Sequence, residues 1–479
     1  MTDNKPNIHL FRTPGGFYFY DVNTMGIVKV NESVYDLLKE NKEAENEEDK
    51  AVIDKLRKSG FLLNNYPKEI IHPLNDLVEE ILDGNIHMMT LQLTQQCNFR
   101  CDYCPYTIGT SDRQHSNKRM SLETAKRGVD FLLQHSGNVE APVIGFYGGE
   151  PFLEFNMMKK IIEYAVERAK GKYIGFTVTT NGSMLTEDKI DFLEKYSVVV
   201  MISLDGPREV HDKNRKLAAT GSGSFEKVIN NVEALYEKHP DFVKNNIQYN
   251  SVIDPVNDFG CFNEFFIKAD YIKNSNMLRT QVLESKYTDY DSNEAIMFFI
   301  KREQEIFKLF LSKLGRYDSE KVSPLVKMQF DEMATKLHSN RRYINRLPEK
   351  GHPGGPCVPG SSRIFLSTDG EFLPCEKVSE NSAVFKMGDL DSGIDYDAAR
   401  KILNIGKFTE ENCKKCWAFT MCVCCANGCE DGDDFSAKKR LDNCSGIKGF
   451  LNETLINYCT LRELGCDYAG LEFTKYVEA

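Results

Sequence analysis

Fifteen cysteines in a chain of 479 residues constrain this sequence more than any other feature, because they are so unevenly placed. Cys97, Cys101 and Cys104 form one group, Cys261 stands alone, and the other eleven lie at or after Cys357. The opening Met1-Thr2-Asp3-Asn4-Lys5-Pro6-Asn7 has no apolar stretch of the signal-peptide kind. No apolar run reaches the ~18 residues that span a bilayer. A cytoplasmic protein with no membrane partner is therefore expected. That compartment keeps thiols reduced, so closely spaced cysteines read as metal ligands and not as a disulfide framework. A hydrophobic fraction of 41% and a charged fraction of 27% describe a globular chain. Its length suits roughly two to four domains. The net charge of −11, without a long basic run, argues against nucleic acid as the main partner.

Residues 1–85 read as a small separate module of winged-helix-like order. Phe17 to Val22 and Gly26 to Val30 are strand-like across the turn Asn23-Thr24-Met25, and Asn31 is placed to N-cap a helix running through Leu38. The acidic run Glu43 to Asp49 reads as a solvated turn. Val52 to Leu56 belongs to a second amphipathic helix ending at Gly60, and Phe61-Leu62-Leu63 reads as a short strand. Between 86 and 290, strands alternate with helical stretches that begin near Leu122, Met157, Glu187, Phe225 and Phe259. The strands are Met88–Leu93, Val143–Tyr147, Tyr173–Thr179, Val198–Ser203, Ile247–Val252 and Leu278–Leu283. This rhythm predicts parallel βαβ units, about six of them, and hence an α/β fold with a partial (β/α)6 barrel. Its chemistry belongs at the carboxyl ends of the strands. Residues 291–350 form a helical bridge, with helices over Ala295–Leu314 and Ser319–Leu337. Residues 351–479 are cysteine-rich and poor in periodic segments, so this domain needs metal as a staple.

Cys97-Asn98-Phe99-Arg100-Cys101-Asp102-Tyr103-Cys104 follows the first of those strands with the spacing CxxxCxxC. Three thiolates on one loop can hold three irons of a cubane and leave the fourth open; a zinc site wants a fourth ligand nearby, for which His115 is the nearest residue. In this context the triplet resembles the defining motif of the radical S-adenosylmethionine (SAM) enzymes. The resemblance implies that Cys97, Cys101 and Cys104 hold a 4Fe–4S cluster whose open iron chelates SAM. Reductive cleavage of SAM then gives a 5′-deoxyadenosyl radical, and the protein's part is to position it. Tyr147-Gly148-Gly149-Glu150-Pro151 is similar to the GGE motif of that family, with glycines that admit close backbone approach and Glu150 as acceptor for the SAM amino group. Taken alone, it is a turn with a helix-starting Glu-Pro. Thr179-Thr180-Asn181-Gly182 and Ser203-Leu204-Asp205-Gly206-Pro207 are similar to family segments around the rest of SAM, which makes Asn181 and Ser203 hydrogen-bonding residues. Asp205 either joins them or braces a turn. Arg215 either pairs with the SAM carboxylate or forms a surface salt bridge. His211 reads as structural, and Gly221-Ser222-Gly223-Ser224 as a turn and N-cap before Phe225.

The tail pattern is Cys357, Gly370, Cys375, then Cys413, Cys416, Cys422, Cys424, Cys425, Cys429 and Cys444, with Ile364 to Pro374 as a hairpin. It is similar to the SPASM domain of peptide-modifying radical SAM enzymes, which binds two auxiliary 4Fe–4S clusters. That resemblance implies three clusters in all. Cys413, Cys416, Cys422 and Cys444 share the second auxiliary cluster, and Cys357 and Cys375 share the first with a cysteine returning from the later group. The family's returning position is Ala426 here, so the register of Cys424, Cys425 and Cys429 stays open, with Cys425 favoured. A pair of zinc ribbons uses similar knuckles. Cys261, Cys459 and Cys466 read as buried thiols.

Phe17 to Lys39 also resembles the peptide-recognition module at the front of maturases for ribosomally made peptides; a dimerising winged helix is the bland alternative. Together the resemblances imply a thioether-forming maturase of the sactipeptide or ranthipeptide kind. Its partners would be a leader-bearing precursor peptide and a flavodoxin- or ferredoxin-like electron donor. Carbon–carbon crosslinking and formylglycine formation on a sulfatase stand as alternatives. A non-catalytic iron–sulfur or zinc scaffold stands as the alternative of another class.

Overall fold

The computed structural model describes residues 5–104, 106, 114–275, 277–282, 292–339, 345–354 and 357–468. The chain opens with an antiparallel three-stranded meander of β1 (Ile8–Thr13), β2 (Gly16–Asp21) and β3 (Gly26–Val30). Helices α1 (Glu32–Glu40) and α2 (Glu47–Lys58) follow. The Asn31 side chain accepts from Val34 N at 2.9 Å and so caps α1. Three expectations for this region are corrected. Ile8 to Thr13 is a strand, so the order is three strands and then two helices. Phe61 to Leu63 is not a strand: Leu62 has φ of 62° and donates its N–H to Asp21. The end of the acidic run is helix, because Asn46 caps α2 and places Glu47, Glu48 and Asp49 in its first turn, where the helix dipole favours them.

The module is also less separate than its sequence implies. Side chains alternate along a strand. Phe19 of β2 packs with Val34, Leu38 and Ile53 in a small core of the module. Tyr18 and Tyr20 point the other way and join the main core of the protein. Tyr20 OH lies 2.6 Å from Thr420 Oγ1, and Tyr18 OH donates to Glu463 at 2.6 Å, so the meander is docked on the tail.

Six parallel strands carry the middle of the chain: β4 (Met88–Thr94), β5 (Val143–Gly148), β6 (Gly175–Thr180), β7 (Val199–Ser203), β8 (Ile247–Ile253) and β9 (Met277–Val282). They lie side by side in sequence order. Between them run α3 (Leu122–Gln134), α4 (Phe155–Arg168), α5 (Glu187–Lys195), α6 (Phe225–Lys238) and α7 (Phe259–Lys268). Ile144, Phe146, Val178, Val200 and Ile202 are buried between sheet and helices, while the alternate side chains of the same strands face the other way. Leu283, expected to close the sixth strand, lies outside the described residues. The tail contributes the expected hairpin, β10 (Ile364–Leu366) and β11 (Phe372–Leu373). It does so in an unexpected place: β10 pairs in parallel with β4, Ile364 opposite Met89 and Leu366 opposite Leu91, and extends the sheet to eight strands.

The bridge is α8 (Ser292–Lys313), a turn, α9 (Lys327–Ala334) and a π-helical turn over Thr335–Ser339. The long second helix expected from Ser319 is therefore broken into pieces. The last long element is α10 (Cys444–Glu463). Among the described residues no helix is long and apolar enough to cross a membrane.

Candidate active site

The loop after β4 is held from every side. Phe99–Cys101 forms a short ribbon with Arg215–Leu217, with Cys101 opposite Arg215. Asp102 N donates to Asn214 O at 2.9 Å and Cys104 N to Cys101 O at 3.0 Å. Asn98 reaches Ser183 and receives the Asn181 amide, at 2.9 and 2.8 Å. Phe99 N donates to the Cys97 sulfur at 3.3 Å.

The GGE turn is stitched to this loop. Gly149 N donates to Thr94 O and Glu150 N to Gln96 O, both at 2.8 Å. A Cβ on Gly149 would stand 2.0 Å from Gln96 O, and one on Gly148, with φ of 137°, 2.2 Å from Thr94 O. The close approach these glycines permit is thus to the backbone leading into Cys97. Glu150 does start a helical turn, accepting from Phe152 N. It also accepts from Thr180 Oγ1 and Asn181 N, both at 2.8 Å. A carboxylate has about four lone-pair directions, so one remains. Burial raises the Glu150 carboxyl, and those three donors oppose the shift.

Asp205 and Arg215 do not form a surface salt bridge. Both are buried, at 1% and 6% exposure, and they pair in bidentate fashion at 2.8 and 3.0 Å. Tyr103 OH donates to Asp205 at 2.5 Å and Val252 N at 3.1 Å. Asp205 is a brace, while Arg215 lines the cavity. His211 accepts from Asp205 N at 3.4 Å and lies 3.1 Å from Ser224 Oγ. Burial first, and the Arg215 charge next, push it down to about 4, so it is a neutral structural residue. Ser224 is not the expected cap: its hydroxyl goes to Arg215 O, and Asp212 accepts from Phe225 N instead.

One cavity of about 1560 Å³ takes in Cys97, Cys101, Cys104, Gly148, Gly149, Glu150, Asn181, Ser203 and Arg215 at the carboxyl ends of the strands. It continues to Met328, Lys336, Val423 and Phe450 beside the tail. Burial pushes the Cys97 and Cys101 thiols up to about 12, the Glu150 charge adding to the first and Arg215 opposing the second. Without a cation at the loop these groups stay neutral, and a bound metal is what ionises such thiols. All the cysteines are free thiols. Among the described residues no three His, Cys, Asp or Glu side chains converge closely enough to hold a single metal ion. A cubane puts each thiolate on its own iron and needs no such convergence. The donor set suits that group.

In the tail, Cys357, Cys375 and Cys425 lie within electrostatic reach of one another. Cys413, Cys416 and Cys422 form a second gathering, with Cys444 in reach of Cys413. Cys424 and Cys429, both buried, have their sulfurs 3.9 Å apart. Cys459 is buried, whereas Cys261 and Cys466 are half-buried. Sequence reasoning missed Glu380, which accepts from Gln92 at 2.7 Å and Tyr106 at 3.0 Å and ties the tail to β4. A lone glutamate in a loop carries no pattern that marks it.

Residues 91–249 match the sequence profile of the Radical SAM superfamily. A radical SAM cyclopropyl synthase of Paramaledivibacter caminithermalis is 24% identical over 57% of this chain and 58% of its own. A serine-type anaerobic sulfatase-maturating enzyme of Bacteroides thetaiotaomicron is 29% identical over 39% of this chain and 44% of its own. The chain thus spans about half the length of these curated relatives. The solved structure of native anSMEcpe with bound AdoMet superposes with a TM-score of 0.58 at 20% identity, covering 78% of this chain and 98% of that one. Six parallel strands with three thiols at their mouth define the class, an α/β partial barrel built around a cysteine loop. Residues 91–249 are thus a radical SAM domain.

Proposed function

We propose that the chain is a radical SAM maturase of a ribosomally made peptide that joins a cysteine sulfur of its substrate to a carbon of another residue. The observation that carries the reading is the single cavity running from the thiol loop to the tail. Its volume exceeds that of an ordinary small-molecule site, and an extended peptide needs such a passage. Cys97, Cys101 and Cys104 would hold the cluster to which SAM binds. That pair, when bound, supplies a 5′-deoxyadenosyl radical. Glu150 has a lone-pair direction left for the SAM amino group, and Arg215 has N–H groups beyond those given to Asp205 for its carboxylate. Ser203 and Asn181 line the same space.

Cys357, Cys375 and Cys425 would hold the first auxiliary cluster, and Cys413, Cys416, Cys422 and Cys444 the second. With the SAM cluster this makes about twelve irons. Cys429, whose thiol donates to Cys425 O at 3.4 Å, has its sulfur 3.9 Å from that of Cys424. Three protein thiols leave a place for a thiol of the substrate, which favours the thioether product. The front module offers β3 as a sheet edge without a strand partner among the described residues, to which a leader peptide would add as a strand. Electrons would come from a flavodoxin- or ferredoxin-like donor in the cytoplasm.

A second reading, carbon–carbon bond formation, is favoured by the cyclopropyl synthase among the relatives. Mass spectrometry of the precursor after incubation with enzyme, SAM and reductant separates the two. Each bond removes two hydrogens. The thioether reading expects the donor cysteine to resist alkylation; a two-hydrogen loss with every cysteine still alkylatable replaces it with the carbon–carbon reading.

A further inference from the structure

Arg440 is the largest fully buried side chain of the described residues, at 2% exposure. A guanidinium is charged under all ordinary conditions, and burying one without compensation is unfavourable. No carboxylate among the described residues lies within ion-pair distance of it. Its surroundings are sulfur instead. Nη1 is 3.9 Å from Cys429 Sγ, and Cys413, Cys422, Cys424 and Cys444 are all within its field. Nε donates to Thr409 Oγ1 at 3.0 Å. That hydroxyl lies 3.2 Å from Cys413 Sγ, and since its oxygen already accepts from Arg440, its own hydrogen is the one turned to sulfur. The charge therefore reaches the Cys413 sulfur through a polarised hydroxyl. The other cations in reach of this group are Lys448, toward Cys416 and Cys444, and Lys336, toward Cys422.

The other two thiol groups are differently surrounded. At the barrel mouth, Arg215 is neutralised by Asp205, and Glu150 adds a negative charge near Cys97. At Cys357 and Cys375, Arg363 is paired with Glu376. Arg100, on the Cys97–Cys104 loop, is only half-buried and donates to the Cys97 and Phe99 carbonyls. Among the described residues, only the group around Cys413 faces a fully buried cation with no acid beside it.

We propose that Arg440, acting in part through Thr409, is the built-in counter-charge of the iron–sulfur centre held by Cys413, Cys416, Cys422 and Cys444, and holds its reduction potential above those of the other two centres. The inference rests on the auxiliary-cluster reading above. Reduction adds one negative charge to the centre; a fixed cation and a hydrogen bond to a ligand sulfur both favour that reduced state.

The test is a potentiometric titration followed by electron paramagnetic resonance on the anaerobically purified, fully loaded protein and its Arg440→Gln, Arg440→Lys and Thr409→Val variants. One auxiliary centre should move to a more negative midpoint in Arg440→Gln, by less in Thr409→Val, and least in Arg440→Lys, which keeps the charge. The SAM centre should not move. Unchanged midpoints in loaded Arg440→Gln overturn the inference and leave the cluster reading intact. A wild-type protein without auxiliary iron overturns both. Should Arg440→Gln fail to hold its irons, Arg440→Lys decides: full loading with a midpoint near wild type upholds the counter-charge, and failure to load assigns Arg440 to packing alone.

Discussion

The two thiol-bearing regions are built in opposite ways. At the barrel mouth, each turn of the Cys97–Cys104 loop is tied to a strand end or to the ribbon with Arg215, so its geometry follows from a sheet that exists without metal. Between Cys413 and Cys444 there are only short helical turns and a hairpin of two-residue strands, Glu430–Asp431 and Asp434–Phe435. On the proposed reading the lesson is one of dependence: the barrel would position its metal ligands, whereas the tail would be positioned by the metal it binds.

The sharpest way to break this contrast is to remove Cys97, Cys101 and Cys104 together as alanines. SAM cleavage should fall to background while both auxiliary centres keep their signals; loss of the auxiliary signals as well would mean that the regions are not independent. Next, stripping all iron with a chelator and following hydrogen exchange should leave β4 to β8 protected. Residues 413–429 should lose at least ~3 kcal/mol of protection, because their folding free energy is largely binding free energy. Equal loss in both regions would refute the contrast.

A pair of substitutions sharpens it further. Asp205→Asn unpairs buried Arg215 and should destabilise the barrel by about 3–5 kcal/mol. Glu463→Gln, at the seam of tail and front module, weakens a carboxylate that accepts from Tyr18 OH and Thr13 Oγ1 and pairs with half-exposed Lys29, and should cost less, about 1.5–3 kcal/mol. Urea unfolding reads both.

A graded effect, reached only in acid, is on stability against pH. His211 in the barrel and His352 in the tail are each pushed down to about 4, burial being the main cause. The unfolded chain takes up these protons below about pH 6.5 while the folded one does not. Stability is therefore full above 6.5 and is lost as pH falls toward 4, by about 1.4 kcal/mol per pH unit for each histidine. In metal-free protein, with the tail loosened, only the His211 share should remain, and His211→Asn should remove it.

What could be read from sequence follows the same divide. The six barrel strands were legible because the apolar run Val198-Val199-Val200 and the alternating Ile247, Tyr249 and Ser251 pattern stand between helical stretches, and because the motifs fall at their ends. β1 was missed since Ile8-His9-Leu10-Phe11-Arg12-Thr13 mixes charge into a short run, and Phe61 to Leu63 was misread because an apolar triplet carries no sign of a left-handed backbone. The pairing of Asp205 with Arg215, and of Phe225 N with Asp212, joins residues whose proximity depends on tertiary folding. In the tail, with no period of 2 or 3.6 to count by, the spacing of Cys422, Cys424, Cys425 and Cys429 could not tell which sulfur turns to which group.

The pairing of β10 with β4 has a consequence for biosynthesis. The strand that leads into the cysteine loop has one flank closed by residues that emerge from the ribosome long afterwards; Thr368, just beyond β10, caps Gln92 of β4 across 276 residues of chain. Contacts of such sequence separation are slow to form. Until the tail is made, the strand beneath the first three thiols keeps a bare edge, open to misassembly. A nascent chain halted before residue 364 should therefore lean on chaperones, and iron delivered at that moment would meet an unfinished wall.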